Sequence, residues 1–202
     1  MYRADSWIRH AEKDPLDDDD RFIALWIAFN ALYGQADSYL MESTKPSEMQ
    51  DVRTFVARAC QIKGSERRFL RGLEAVGDDV RILCESPFLY IEYWGSGFTD
   101  ALEGRLQSLS GRAAPRNRKA LVQFLGDLFE RIYVLRNQIL HGSATYGSGA
   151  NRGTLEPALR VLRELVPLLR TLVDESDSAV DWGRLPYPAK GRPDHPPDRR
   201  TM

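Results

Sequence analysis

Of the three histidines in the chain, His10, His141 and His195, only His141 has neighbours suited to chemistry. It follows Arg136 by five residues and Asn137 by four. It precedes a Gly-rich loop, Gly142-Ser143-Ala144-Thr145-Tyr146-Gly147-Ser148-Gly149, which leaves room for a ligand to approach. An imidazole ordinarily exchanges its proton near neutral pH, so it can take a proton from a ribose 2′-hydroxyl or give one to a leaving oxygen. A guanidinium can stabilise the charge that gathers on phosphoryl oxygens. Together the two groups suit cleavage of a phosphodiester without a metal, and RNA alone supplies the 2′-hydroxyl. Asn137, one helical turn before His141, can fix the orientation or tautomer of the imidazole or contact the substrate itself. His10 has Glu12 and Asp14 nearby but no organised motif and reads as a surface helix residue, and His195 lies in the tail.

The spacing also has a plainer explanation. A histidine near a helix C-terminus is favoured by the helix dipole, and an arginine on a helix flank is common. Helical geometry limits the chemical reading as well. On an ideal helix, Asn137 and His141 lie about 40° apart, but Arg136 and His141 lie about 140° apart. Either the last turn unwinds at Gly142, or two copies of the chain combine their helices into one cleft.

The element that must carry these residues is a long helix. From about Pro115 to His141, the apolar residues Leu121, Leu125, Leu128, Ile132, Leu135 and Ile139 recur at alternating spacings of four and three, which predicts one buried stripe. Gly142 is placed to end it. Asp17-Asp18-Asp19-Asp20 predicts a capped helix start, favoured over metal binding by the general preference for acidic first turns. The stretch that follows, Arg21 to Gly34, is apolar on nearly all sides and predicts a central, buried helix. Asn30 interrupts it on the face of Trp26 and Tyr33, either as a polar clamp between helices or as support for the active groups.

Further helices are predicted from Pro46-Ser47 to near Gly64, from a capping Ser65 to Gly77, from Val80 to Pro87, and after Asn151 with a kink at Pro167. The segment Phe88 to Trp94 is rich in strand formers, but the sequence offers it no partner strand, so a short helical or irregular segment packed on the core is expected. The fold class is therefore all-α. The expected domain covers residues 1–182, and a charged, Pro-rich tail at 183–202 is expected to be largely disordered, its start pinned by Trp182 and Tyr187.

At 202 residues, with 43% hydrophobic and 28% charged residues, the chain suits one core. Its net charge of −1 offers nucleic acid no global attraction, so an RNA contact must be local. Cys60 and Cys84 are too far apart in sequence for a paired-thiolate motif and read as reduced helix residues. No apolar signal core or membrane-length apolar run is present, so the expected location is cytoplasmic, with no membrane partner. No metal or other cofactor is called for.

Residues Phe129 to Gly142, Phe-Glu-Arg-Ile-Tyr-Val-Leu-Arg-Asn-Gln-Ile-Leu-His-Gly, resemble the signature helix of HEPN-domain proteins. Arg21 to Gly34 is similar to the central early helix of one bacterial HEPN group, as are Ala144-Thr145-Tyr146, Asn151-Arg152 and the segment from Trp182-Gly183 to Tyr187-Pro188. The resemblance implies a helical bundle that pairs as a homodimer with the Arg and His motifs facing across a cleft. It also implies metal-independent ribonuclease activity in many members, among them toxins with a cognate antitoxin, phage-defence effectors and RNA-processing enzymes. Other members are non-catalytic modules that bind RNA or nucleotides, or serve in dimerisation and protein contact. Arg136 and His141 match the ends of the motif, and Asn137 matches the polar residue that often follows the Arg. Asn30, Tyr146, Asn151 and Arg152 are nominated as substrate-binding or supporting residues by position alone.

Overall fold

Asp17 starts the central helix by accepting the Asp20 amide on its Oδ1 at 2.9 Å, so the acidic run caps as its sequence predicts. A computed structural model describes residues 2–33, 48–110, 115, 117–141, 149–176, 180 and 182. Among these the regular elements are all helical. They are α1 (Tyr2–Ala11), α2 (Asp18–Tyr33), α3 (Glu48–Ala59), α4 (Ser65–Ala75), α5 (Gly77–Glu85), a 3₁₀ turn (Pro87–Leu89), α6 (Ile91–Ser96), α7 (Asp100–Ser110), α8 (Arg118–Leu140) and α9 (Gly149–Glu175).

Helix α2 lies at the centre, with α1 and α9 packed along it. Phe22, Leu25, Trp26, Phe29, Leu32 and Tyr33 are all buried, as expected for a helix that is apolar all round. Helix α3 packs on α8, and one aromatic cluster ties both to α2. Phe29 stacks on Phe129 at 4.4 Å between ring centroids and meets Phe55 at 6.1 Å. Full burial of such a ring contributes about 2–3 kcal/mol, so these contacts fix where α8 lies.

Helix α8 itself begins where Asn117 accepts the Ala120 amide at 2.9 Å. Leu121, Leu125, Leu128, Ile132 and Leu135 of its stripe are completely buried, and Ile139 is half-buried. A second fastening is polar. Arg53 of α3 reaches Asp127 at 2.9 Å and Glu130 at 2.6 Å on α8. It passes so close that a Cβ at Gly126 would sit 2.6 Å from its Nη1, which accounts for a glycine in mid-helix. Burial opposes the Arg53 charge, but hydrogen bonds and attraction from Asp127 and Glu130 outweigh it and raise its pKa.

Several sequence expectations need correction. Ser65 does not cap α4; it is the first helical residue, behind Gly64 at φ 80°, and its hydroxyl is buried without a partner. Helix α7 is additional to the predicted set, α1 gives the helix expected at His10 its bounds, and α9 starts before Asn151 with Pro157 and Pro167 inside it. The segment after Pro87 is helical as expected, and Leu89 and Tyr90 are buried, yet Phe88, Ile91 and Trp94 face outward instead of packing on the core. Trp182 does pin the end of the described chain. Its Nε1 donates to Ser176 at 2.7 Å, and its ring lies 5.3 Å from Phe55. Tyr187 and the rest of 183–202 lie outside the described residues. Among the described residues, no helix is long and apolar enough to cross a membrane.

Candidate functional site

The buried stripe of α8 determines which side chains at its last turn stay available. Leu135 is locked in the core, and Arg136, Asn137 and Gln138 emerge around the rim, half-buried. Helical structure persists through Leu140, and the His141 amide donates to the Asn137 carbonyl at 3.0 Å. The turn joining Arg136 to His141 is therefore intact up to His141. Within one chain, the two side chains leave the helix in divergent directions.

Arg136 rests in an aromatic bay. Its guanidinium carbon lies 5.7 Å from the Trp26 ring of α2 and 5.7 Å from the Tyr133 ring one turn back on α8. Its Nη1 donates to Asn137 Oδ1 at 2.9 Å and stands 3.6 Å from Glu48 Oε2. Glu48, in the first turn of α3, is in turn held by the Tyr33 hydroxyl, which donates to its Oε1 at 2.7 Å. The Arg136 Nε is buried without a hydrogen-bond partner, and so is the Trp26 Nε1 beneath. With 19% of its side chain exposed, Arg136 is anchored but reachable.

His141 contrasts with it, since the residue is exposed at the helix end. Among the described residues, no hydrogen bond joins Asn137 to the imidazole. The Asn137 side-chain oxygen serves Arg136, so this residue positions the guanidinium. On the other flank of α8, Gln138 donates to the Phe88 carbonyl at 2.7 Å, joining the 3₁₀ turn to the helix end. Asn30 is half-buried on α2, and among the described residues no hydrogen bond joins it to Arg136, Asn137 or His141. Tyr146 lies outside the described residues; Asn151 and Arg152 fall in the first turn of α9, their side chains undescribed. Among the described residues no group of three or more His, Cys, Asp or Glu side chains is gathered as ligands for a metal ion.

No family model, no curated protein and no solved structure matches the chain.

Glu48, Tyr33, Trp26 and Tyr133 surround Arg136 but were not singled out as site residues by sequence. A signal existed for two of them, because Trp26 and Tyr33 share the face of α2 that Asn30 interrupts. Glu48 comes from a different helix, and no local pattern could place it against Arg136.

One further arginine of α8 matters. Arg131 is 1% exposed, with its guanidinium carbon 3.8 Å from the Tyr90 ring centre and its Nη2 3.2 Å from Glu130. Its Nε and Nη1 are buried without partners. The Tyr90 hydroxyl donates to the Cys84 carbonyl at 2.8 Å. Burial pushes both the Tyr90 hydroxyl and the Cys84 thiol up to about 12, against the lowering influence of Arg131. Cys60 is likewise buried and pushed up to about 12, and both cysteines are free.

Proposed function

We propose that the protein is a metal-independent endoribonuclease of the HEPN type that works as a homodimer. The observation that carries this reading is the end of α8, where an anchored but reachable Arg136 and an exposed His141 terminate a helix that the core holds rigidly. The resemblance of Phe129 to Gly142 to the HEPN signature supports it. Pairing of two copies answers the divergence of the two side chains, because a cleft between two α8 ends contains both residue types whichever way each one leaves its own helix.

In that cleft the His141 imidazole takes the proton of a ribose 2′-hydroxyl as O2′ attacks the adjacent phosphorus. The P–O5′ bond breaks, and the second copy's imidazole, protonated, delivers a proton to the leaving O5′. The products are a 2′,3′-cyclic phosphate and a 5′-hydroxyl end. Arg136 stabilises the charge on the non-bridging oxygens of the phosphorane-like transition state, and Asn137 holds Arg136 in place. Toxin or phage-defence roles and an antitoxin partner follow from the same resemblance, and a cytoplasmic location is proposed with them.

The test is incubation of the pure protein with total RNA, with and without EDTA, beside His141→Ala. Cleavage that resists EDTA and disappears in the variant while the dimer persists is the expected result. Loss of cleavage in EDTA would remove this mechanism. The contact between Glu48 and Arg136 favours a second reading, a non-catalytic module for RNA or nucleotide or a dimerisation domain, in which the guanidinium serves packing. RNA retained by the protein without being shortened would support the binding form.

A further inference from the structure

Helix α6 buries none of its residues, and the chain around it exposes an unusual amount of apolar surface. Phe88 is 51% exposed, Ile91 66%, Trp94 59% and Phe98 59%. The surface is organised. Phe88 and Trp94 have ring centroids 6.4 Å apart, with Tyr93 5.1 Å from Phe88, and Ile91 lies one turn from Trp94 on α6. The Trp94 Nε1 donates to the Phe88 carbonyl at 3.0 Å, so the indole is held in place and its donor is already used. The same carbonyl receives Gln138 of α8, three residues before His141.

Charge identifies what such a surface would accept. From Ile82 to Gln107 the chain carries Glu85, Glu92, Asp100 and Glu103, all exposed, against the single cation Arg105, which pairs with Glu92. Four carboxylates against one cation leave this stretch at −3, where the whole chain is only −1, and Arg81 just before it is paired with Asp78. An RNA backbone would meet repulsion here. A second copy meeting the same face about a two-fold axis would set carboxylates against carboxylates. Exposed aromatic and aliphatic side chains with carboxylates interleaved and flanking them in sequence match the apolar stripe and Lys or Arg flanks of a cationic amphipathic helix.

We infer that the Phe88 to Phe98 face is a docking site for a basic amphipathic segment of another protein. A partner held there would stand beside the end of α8. This inference is independent of whether the chain cleaves RNA.

The experiment is calorimetric titration of the full chain with a synthetic helical peptide of about 18 Lys and Leu residues, Leu at helical spacing, and with its Glu-for-Lys counterpart. The Lys peptide is expected to bind at least about tenfold tighter than the Glu peptide, and more weakly as salt rises. Trp94→Ser/Phe98→Ser, both at exposed positions, should weaken it by about tenfold with helical content unchanged. Asp100→Lys/Glu103→Lys should transfer the preference to the Glu peptide. Equal binding of the two peptides, or full binding by the serine variant, overturns the inference. So does a fall in oligomeric mass of the serine variant, which would assign the face to a second copy. Binding of a short single-stranded RNA to the chain without peptide, lost in the serine variant, overturns it as well.

Discussion

Arg131 and Arg136 stand five residues apart on α8. Each lies against an aromatic ring and has a glutamate within 4 Å, at 3.2 Å and 3.6 Å respectively. Their difference lies in access. Arg131 is 1% exposed, clamped over Tyr90 with two N–H groups unanswered, whereas Arg136 keeps 19% of its side chain in contact with solvent. A guanidinium enclosed by core can hold helices together but cannot meet a phosphate. One that is floored by Trp26 and open at its rim can do so with little rearrangement. Ring contacts and ion pairs alone do not separate a structural arginine from one suited to a site; exposure and position at the helix end do.

Substitution at each arginine tests the comparison. Arg136→Ala is expected to lower RNA cleavage by about a thousandfold, equivalent to about 4 kcal/mol of transition-state stabilisation, and to cost less than about 1 kcal/mol of folding stability. Single-turnover cleavage and urea unfolding measure the two quantities. A large loss of stability with proportionate loss of activity would place Arg136 in the same class as Arg131. Arg131→Ala should show the reverse, losing about 3 kcal/mol of stability because it empties the place over Tyr90. Its remaining folded fraction should cleave at the normal rate. Arg131→Met, which refills the volume without two unsatisfied donors, should recover much of that stability.

Cys84, beside Arg131, sharpens the contrast through pH. Its thiol has an ordinary pKa of 9.0 and is pushed up to about 12 in the fold, chiefly by burial. The folded chain therefore keeps this proton after the unfolded chain has lost it. The associated stability is intact below pH 9 and is lost as pH rises from 9 toward 12, by up to about 1.4 kcal/mol per pH unit. Unfolding by urea at pH 8, 9 and 10 should show this slope lessened in Cys84→Ala. A slope unchanged by the substitution would mean that the thiol is open to solvent, and the Arg131 environment with it.

Much of this arrangement was legible in the residues. The spacing of Leu121, Leu125, Leu128, Ile132 and Leu135 gave the buried face of α8, and the uninterrupted apolar run of α2 gave its central place. Local chemistry also gave the Asp17 cap. What sequence could not supply was the set of contacts between helices remote in the chain. Whether Arg131 or Arg136 was enclosed depended on Tyr90 and Trp26, each brought in from another segment. The outward turn of Phe88 and Trp94 was misread because aromatic content normally signals core. Helix α7 was legible too, since Leu102, Leu106 and Leu109 recur at spacings of four and three, but that stripe covers only two turns; Leu102 is buried and Leu106 half-buried.

The smallest expected effect concerns the carboxylate on Arg136. Tyr33 holds Glu48 by one oxygen, and the other lies 3.6 Å from the guanidinium that a substrate phosphate would need. Glu48→Gln keeps an acceptor for Tyr33 and removes the negative charge. If Glu48 competes with phosphate, the variant should bind RNA about threefold tighter, a modest gain because partly exposed ion pairs contribute less than about 1 kcal/mol. The gain should be larger at low ionic strength. If Glu48 instead holds Arg136 in its working position, the variant loses turnover while affinity stays level, and the measured split between KM and kcat decides between the two. At Arg131 no such split should arise: Glu130→Gln disturbs the contact with a buried guanidinium that substrate never reaches, so both constants should stay unchanged in the folded protein.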